Sequence, residues 1–100
     1  MGQADGGNAQ GLQVSCQKLT GKDLSGQGLS GSDFSYAELS RANFQGSDLL
    51  DANFLEARLI EANLRGARLK RANLRKATLN GAILQKSLLR LADLLSLIHI

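Results

Sequence analysis

Few side chains in this sequence have types that support catalysis or metal binding. The 100 residues contain one cysteine, Cys16, and one histidine, His99. Nucleophilic catalysis needs a nucleophile beside a general base, and a zinc site needs several His, Cys or carboxylate ligands. The sequence does not contain either combination of residues at the spacing that such a site needs. We therefore predict no enzymatic activity, no metal site and no cofactor.

Basic side chains form the one dense chemical cluster, with six between Arg65 and Lys76. Arginine and lysine at this density can engage phosphates of a nucleic acid or another anionic surface. No aromatic residue lies within the cluster to stack on bases. The alternative, which we favour, is that these cations match carboxylates on neighbouring segments. The candidate anion contacts are Arg65, Arg68, Lys70, Arg71, Arg75 and Arg90.

Charge is divided unevenly along the sequence. Residues 1–57 carry three basic and seven acidic side chains, a net charge of −4, and residues 58–100 carry nine and two, a net charge of +7. The lone cysteine excludes an intrachain disulfide. No apolar run approaches the ~20 residues that span a bilayer, and the N-terminus lacks the blocks of a signal peptide. We expect a cytoplasmic location.

A period of five residues organises the chain. Leu or Phe recurs at every fifth position from Leu19 to Leu94, sixteen times without interruption. We call these residues the centres. A small residue, usually Ala, lies two positions before most centres, a polar residue often directly before, and mostly polar residues or Gly after. This order predicts a short extended segment with two inward side chains, followed by a turn in which Gly can supply positive φ.

The units ANFQG, ANFLE, ANLRG, ANLRK and ADLLS resemble the pentapeptide repeat family, whose consensus is A-(D/N)-L-x-x. The resemblance covers Gln17 to about Ser96. It implies an all-β fold: a right-handed quadrilateral β-helix, a solenoid of about four coils with twenty residues each. Gln17, Lys22, Gln27 and Ser32 replace the small residue in the earliest units, so we expect the first coil to be looser or its long side chains to bend outward.

Charges support a twenty-residue coil independently. If residues i and i+20 stack, opposite charges should meet, as in cross-strand pairs. Six such pairs have opposite signs and only Lys70–Arg90 has like signs: Lys18–Glu38, Glu38–Arg58, Arg41–Glu61, Asp48–Arg68, Asp51–Arg71 and Glu56–Lys76. The same spacing predicts that Phe34 stacks on Phe54, below Leu74 and Leu94. It also predicts an Asn53–Asn73 column that hydrogen-bonds turn backbone or itself.

Three apolar residues follow consecutive centres, where side chains should point outward: Leu50, Leu55 and Ile60. We interpret this strip as a candidate protein contact and the chain as a non-enzymatic structural or protein-interaction module of unknown partner. Binding of nucleic acid or another anionic surface is the alternative. Some relatives in the resembled family protect topoisomerases by imitating DNA. We rank that activity lower, because it needs a continuous acidic surface and cations match the carboxylates here. No membrane or small-molecule partner is inferred.

The two ends depart from the pattern. Residues 1–11 are polar and Gly-rich and are predicted to be a flexible tail, and residues 12–94 form the predicted β-helix, with Leu12–Cys16 as a degenerate first unit centred on Val14. Residues 95–100, LSLIHI, look like the translation of a transposon adapter used in preparing sequencing libraries. We interpret that segment as a non-native extension of a truncated reading frame.

Overall fold

Isolated parallel β-bridges are the regular structure of this chain. The computed structural model describes residues 11–87, and that range contains no helix and no strand longer than one residue. A bridging residue recurs at every fifth position from Gln13 to Ile83, always directly before a centre. The predicted extended segments are thus one bridging residue long, because the chain turns again two residues later.

A β-turn follows each centre. At most turns the N–H three residues after the centre donates to the centre's carbonyl, as from Ala37 to Phe34 at 3.1 Å. The second turn residue has positive φ at every fifth position from Gly11 to Lys86, at seven glycines and at nine other residues. Positive φ at that position is the requirement of a type II turn. The prediction of Gly at this position is confirmed, but most turns hold a residue that is strained there.

The bridges join residues twenty apart. Leu49 N–H donates to the Arg68 carbonyl at 2.8 Å, and Arg68 N–H donates to the Ser47 carbonyl at 2.9 Å. Asp48 therefore pairs with Arg68, as the charges predicted. Each twenty-residue circuit contains four turns and contributes to four ladders. We number them by their outward residues: ladder 1, Gln13, Asp33, Asn53 and Asn73; ladder 2, Lys18, Glu38, Arg58 and Thr78; ladder 3, Asp23, Asn43, Asn63 and Ile83; ladder 4, Gly28, Asp48 and Arg68.

The centres and the small residues fill the interior. All centres from Leu24 to Leu79 are buried, including Leu64, which is fully enclosed, and so is every Ala two positions before a centre from Ala37 to Ala77. Phe34 stacks on Phe54 as predicted, with ring centroids 5.0 Å apart and planes 7° from parallel. Phe44 contacts both rings edge-on. Each buried Leu or Phe contributes ~1.5–3 kcal/mol, so this interior is the main source of stability.

The polar residue before each centre has a local task. Where this residue is Asp, Asn or Glu, its side-chain oxygen accepts a hydrogen bond from the N–H of the first turn residue, as Asn53 Oδ1 does from Leu55 at 3.0 Å and Asn63 Oδ1 from Arg65 at 3.0 Å. Asn73 Nδ2 also donates to Asn53 Oδ1 at 3.3 Å. Both predicted uses of the Asn column are confirmed, and they explain why short Asp and Asn side chains suit this position.

The earliest units differ as expected. Gln17 and Lys22 are exposed, whereas Ser32 is fully buried and its hydroxyl accepts from the Leu12 N–H at 3.1 Å. Gly11, assigned to the predicted tail, shares the positive φ of the turns, and its N–H donates to the Ser30 carbonyl at 3.1 Å. Residues 1–10, the centres Leu89 and Leu94, and the segment 95–100 lie outside the described residues.

Candidate interaction surfaces

The predicted apolar strip occupies three successive turns. Leu50, Leu55 and Ile60 are each the first residue of a turn, and each is half-buried. Leu50 and Leu55 flank ladder 1, while Leu55 and Ile60 flank ladder 2. The three side chains therefore follow the chain around the molecule, and no single ladder carries all of them.

Tyr36 extends this strip, and sequence reasoning missed it. Its side chain is among the most exposed large apolar groups of residues 11–87, at 51%, together with Ile83 of ladder 3 at 43%. The Tyr36 N–H donates to the Leu55 carbonyl at 2.8 Å, so the two residues are neighbours across the stack. A bulky aromatic residue at a five-residue position held mostly by Gly and charged residues was the available signal.

An ion pair lies between these apolar turns, on ladder 2. Arg58 Nε is 3.0 Å from Glu38 Oε2. Glu38 Oε1 accepts from the Ser40 hydroxyl at 2.6 Å and from the Ser40 N–H at 3.2 Å. The hydrogen bonds from Ser40, with a smaller contribution from Arg58, hold the pKa of Glu38 below its ordinary 4.5. Ladder 2 thus presents a fixed charge pair with apolar residues at its borders.

The basic cluster is divided among three turns and one ladder. Arg65 lies at the turn before ladder 4, Arg68 on ladder 4, Lys70 and Arg71 at the turn after it, and Arg75 at the turn after ladder 1. All are exposed except Arg65, which is half-buried. Proximity in sequence therefore does not place them on one flat surface. Arg68, Lys70 and Arg71 do share the region of ladder 4, as predicted, and Arg90 lies outside the described residues.

Arg71 is already neutralised within the chain. Its Nε and Nη2 donate to the two oxygens of Asp51 at 2.8 and 3.1 Å. This fork lowers the pKa of Asp51 below its ordinary 3.8 and raises the pKa of Arg71. Of the six opposite-charge pairs predicted, only Asp51–Arg71 and Glu38–Arg58 come within 4.0 Å in residues 11–87. Arg68 stacks over Asp48 without an ion pair of that length in the same range.

Residues 11–87 offer few side chains for a thiol site or a metal site. Cys16 is an exposed free thiol at the second position of a turn. Over residues 11–87, no three His, Cys, Asp or Glu side chains are grouped as metal ligands would be. No helix in that range is long and apolar enough to cross a membrane.

Comparison with known proteins places the repeat in a family. The family model described as "Pentapeptide repeats (8 copies)" matches residues 17–46, 37–75 and 57–94. Among solved structures, a pentapeptide repeat protein from the thylakoid lumen of Arabidopsis thaliana is similar at 42% identity and a TM-score of 0.51, over 74% of this chain and 55% of that one. No curated protein matches the chain by sequence.

Two cyanobacterial structures are also similar. A pentapeptide repeat protein from Nostoc is 36% identical over 75% of this chain and 62% of its own, with a TM-score of 0.49. One from Cyanothece is 29% identical over 83% of this chain and 60% of its own, also with a TM-score of 0.49. The chain thus spans 55–62% of the length of these structures. With repeats matched from residue 17 to 94, this chain belongs to the pentapeptide repeat family.

Proposed function

We propose that this chain is a non-enzymatic protein-interaction module, a rigid pentapeptide-repeat rod that presents side chains to a protein partner. In this proposal it forms the right-handed quadrilateral β-helix typical of its family, with about four coils of twenty residues, in the cytoplasm. The observation that carries the proposal is the unbroken i to i+20 bridging, which holds outward side chains at fixed spacing on ladders 1–4. Stacked repeats of this kind create extended surfaces suited to binding.

The apolar strip is the proposed contact. Leu50, Leu55 and Ile60 keep part of their side chains in water, and Tyr36 exposes about half of its surface beside Leu55. Exposed apolar patches rimmed by polar residues mark interaction sites, and tyrosine is enriched among the residues that carry binding energy there. In the other described turns, the first position carries Ser, Thr, Gln, Asn, Arg or Lys, so the strip is the local departure from a polar pattern.

Site-specific photo-crosslinking in the cell of origin tests this proposal. A photoreactive amino acid replaces Leu55 in one variant and Gln45 in a matched control, since Gln45 is exposed at the same turn position in another part of the coil. We expect a discrete crosslinked product at position 55 and none at position 45. The product should disappear when Leu50 and Ile60 are changed to Glu. The proposal is refuted if the variants Leu50→Glu, Leu55→Glu and Ile60→Glu all keep every partner.

Binding to a nucleic acid or another anionic surface is the second candidate, favoured by one observation. Arg68 and Lys70 are exposed, and neither has a carboxylate within 4.0 Å among residues 11–87. Two cations held by rigid backbone could contact successive phosphates. Titration with duplex DNA at two salt concentrations tests this, with Arg68→Glu/Lys70→Glu compared with Lys22→Glu in the first coil. Binding that falls steeply with salt supports it, and no retardation at low salt rejects it.

A further inference from the structure

We propose that two copies of this chain associate side by side and antiparallel through ladder 2, with Glu38 of each copy facing Arg58 of the other. The inference builds on the proposed function, because Leu55 and Ile60 border the same surface, and it names the partner as a second copy. Three features carry it: an ion pair with unused donors, the symmetry of the charge pattern, and an exposed tyrosine beside the pair.

Arg58 contacts Glu38 incompletely. Only its Nε is engaged, at 3.0 Å from one carboxylate oxygen, and the Arg58 side chain is 58% exposed. Neither terminal nitrogen of Arg58 donates a hydrogen bond within residues 11–87. Arg71 differs, because two of its nitrogens donate hydrogen bonds to both oxygens of Asp51. Arg58 is therefore the paired arginine that retains donors for a carboxylate from outside.

Opposite charges that stack within one chain can also pair between two copies that are related by a two-fold axis. Consider a two-fold axis that lies in the interface, perpendicular to the coil axis, midway between the Glu38 and Arg58 levels. This axis brings each residue of the lower coil opposite the residue twenty positions later in the second copy. Glu38 then faces Arg58 in both directions, as an isologous interface requires. At the neighbouring turn the same operation sets Arg41 against Glu61, which again have opposite signs.

The turn beside ladder 2 satisfies the same symmetry. The two-fold axis sets Tyr36 of each copy opposite Glu56 of the other, where the tyrosine hydroxyl can donate to the carboxylate. Leu55, whose carbonyl accepts from the Tyr36 N–H at 2.8 Å, then lies opposite Ser35 and beside the incoming tyrosine ring.

Ladder 4 has the same charge symmetry in Asp48 and Arg68, and there the axis would set Asp51 against Arg71 and Leu50 against Lys70. Arg71 already donates to both oxygens of Asp51 in its own chain. Ladder 2, whose Arg58 keeps donors free, is therefore the better surface for a second copy.

Tyr36 supplies the independent indication. Its φ of 60° is the one that this turn position requires throughout the repeat, but half of its surface is left in water. The Tyr36 hydroxyl makes no hydrogen bond within residues 11–87. Exposed tyrosine with a free hydroxyl is enriched at protein interfaces. One side of a small rod is a limited area, so the association should be weak and concentration-dependent.

Charge exchange between two variants tests the geometry. Sedimentation velocity of the full chain from 10 µM to 1 mM should show a monomer–dimer equilibrium that weakens with added salt, these being about the concentrations at which a small interface assembles. Arg58→Glu alone faces like charges across the axis, and so does Glu38→Arg alone, so each should dimerise at least about tenfold more weakly. Mixed in equal amounts, the two variants should restore association, because every Glu then faces an Arg.

Arg71→Glu is the matched control. It reverses one member of the other intrachain ion pair, away from ladder 2, and should leave the dimer unchanged. Circular dichroism of each variant verifies that the coil is intact. A chain that stays monomeric at 1 mM, or a mixture that does not associate although both variants are folded, would overturn the inference.

Failure of this inference is distinguishable from failure of the proposed function. A monomeric chain that crosslinks a different protein from position 55 would remove the self-association and keep the interaction module. A ladder 2 dimer with no heterologous product at position 55 would support self-association and leave a second copy as the partner.

Discussion

Phe44 lies edge-on to Phe54, with ring centroids 5.6 Å apart and planes 89° apart. It meets Phe34 in the same way at 5.4 Å, while Phe34 and Phe54 stack on each other. Ladders 1 and 3, which are separated by two turns, thus meet in one aromatic cluster inside the coil. Edge-on and offset aromatic contacts each add ~0.5–1.5 kcal/mol beyond burial.

Truncation of Phe44 should be among the most damaging single changes. Phe44→Ala leaves a cavity between two rings and is expected to cost ~3–5 kcal/mol of unfolding free energy. Phe44→Leu restores the residue found at most other centres and should cost under about 1.5 kcal/mol. Equilibrium urea unfolding measures both. Equal losses in the two variants would show that the cluster does not act as described.

Ser47 should be more stabilising than the alanine that is usual at its position. Its buried hydroxyl donates to the Leu24 carbonyl at 2.5 Å, where no turn N–H within residues 11–87 supplies a bond. Ser47→Ala leaves the Leu24 carbonyl without this donor, so a loss of ~1–3 kcal/mol of unfolding free energy is expected. Ser87→Ala is the control, because the Leu84 carbonyl keeps its bond from the Ser87 N–H at 3.0 Å. Thermal or urea unfolding should show the larger loss at position 47.

The Asn column should tolerate Asp and reject Ala. Asn53 Oδ1 accepts from the Leu55 N–H and from Asn73 Nδ2. Asn53→Asp keeps both acceptor contacts but stacks its carboxylate over Asp33, so it should cost less than Asn53→Ala and recover with added salt, whereas Asn53→Ala should cost about 1 kcal/mol or more at any salt concentration. Urea midpoints of the two variants give the comparison. If Ala and Asp prove equivalent, the side chain contributes nothing to the turn.

The fold was largely predictable from the sequence because one side-chain pattern repeats without interruption. The centres, the small residues and the register of Asp48 with Arg68 all follow from spacing and charge. Which opposite charges actually pair did not follow. Asp48 Oδ1 accepts from the Leu50 N–H at 3.2 Å, and Asp48 makes no ion pair within residues 11–87. The longer side chain of Glu38 accepts from Ser40 with one oxygen and pairs with Arg58 through the other.

The candidate sites were less predictable, since turns separate residues that are close in sequence. Arg65 and Arg75 are only ten positions apart in sequence. Arg65 nevertheless lies at the turn before ladder 4, and Arg75 lies at the turn after ladder 1. Tyr36 was overlooked because its position was assigned to glycine and polar residues, although an aromatic residue there was a visible departure, and its 51% exposure shows that the side chain points outward.

Glycine should stabilise the fold at strained turns. Lys76 has a φ of 59°, in the left-handed region. Lys76→Gly relieves a cost of ~1–2 kcal/mol, offset by the ~0.5–1 kcal/mol of extra conformational entropy that Gly loses on folding, so a net gain of up to about 1.5 kcal/mol is expected. Lys70→Gly is the control, because Lys70 does not have positive φ and glycine there should destabilise. Opposite signs in urea unfolding are the expected result; a loss at both positions would contradict it.

Acid should destabilise the coil through its hydrogen-bonded carboxylates. Bonds from Ser35 lower the pKa of Asp33 below its ordinary 3.8, and those from Ser40 lower the pKa of Glu38 below its ordinary 4.5. The folded state therefore holds these protons more weakly than the unfolded state does. Their stabilisation is fully present above the ordinary values and is lost as pH falls through the lower folded values.

The unfolding free energy should consequently decline with acid from about pH 4.5 downward, and Glu38→Gln should make that decline shallower. Gln keeps an oxygen to accept from Ser40 but has no proton equilibrium. Glu61→Gln is the control, the same carboxylate-to-amide change at a side chain whose carboxylate makes no hydrogen bond or ion pair within residues 11–87. Thermal unfolding followed from pH 7 to pH 2 measures the slopes. A profile of Glu38→Gln that overlays the wild type would show that the Ser40 contact does not couple protonation to folding.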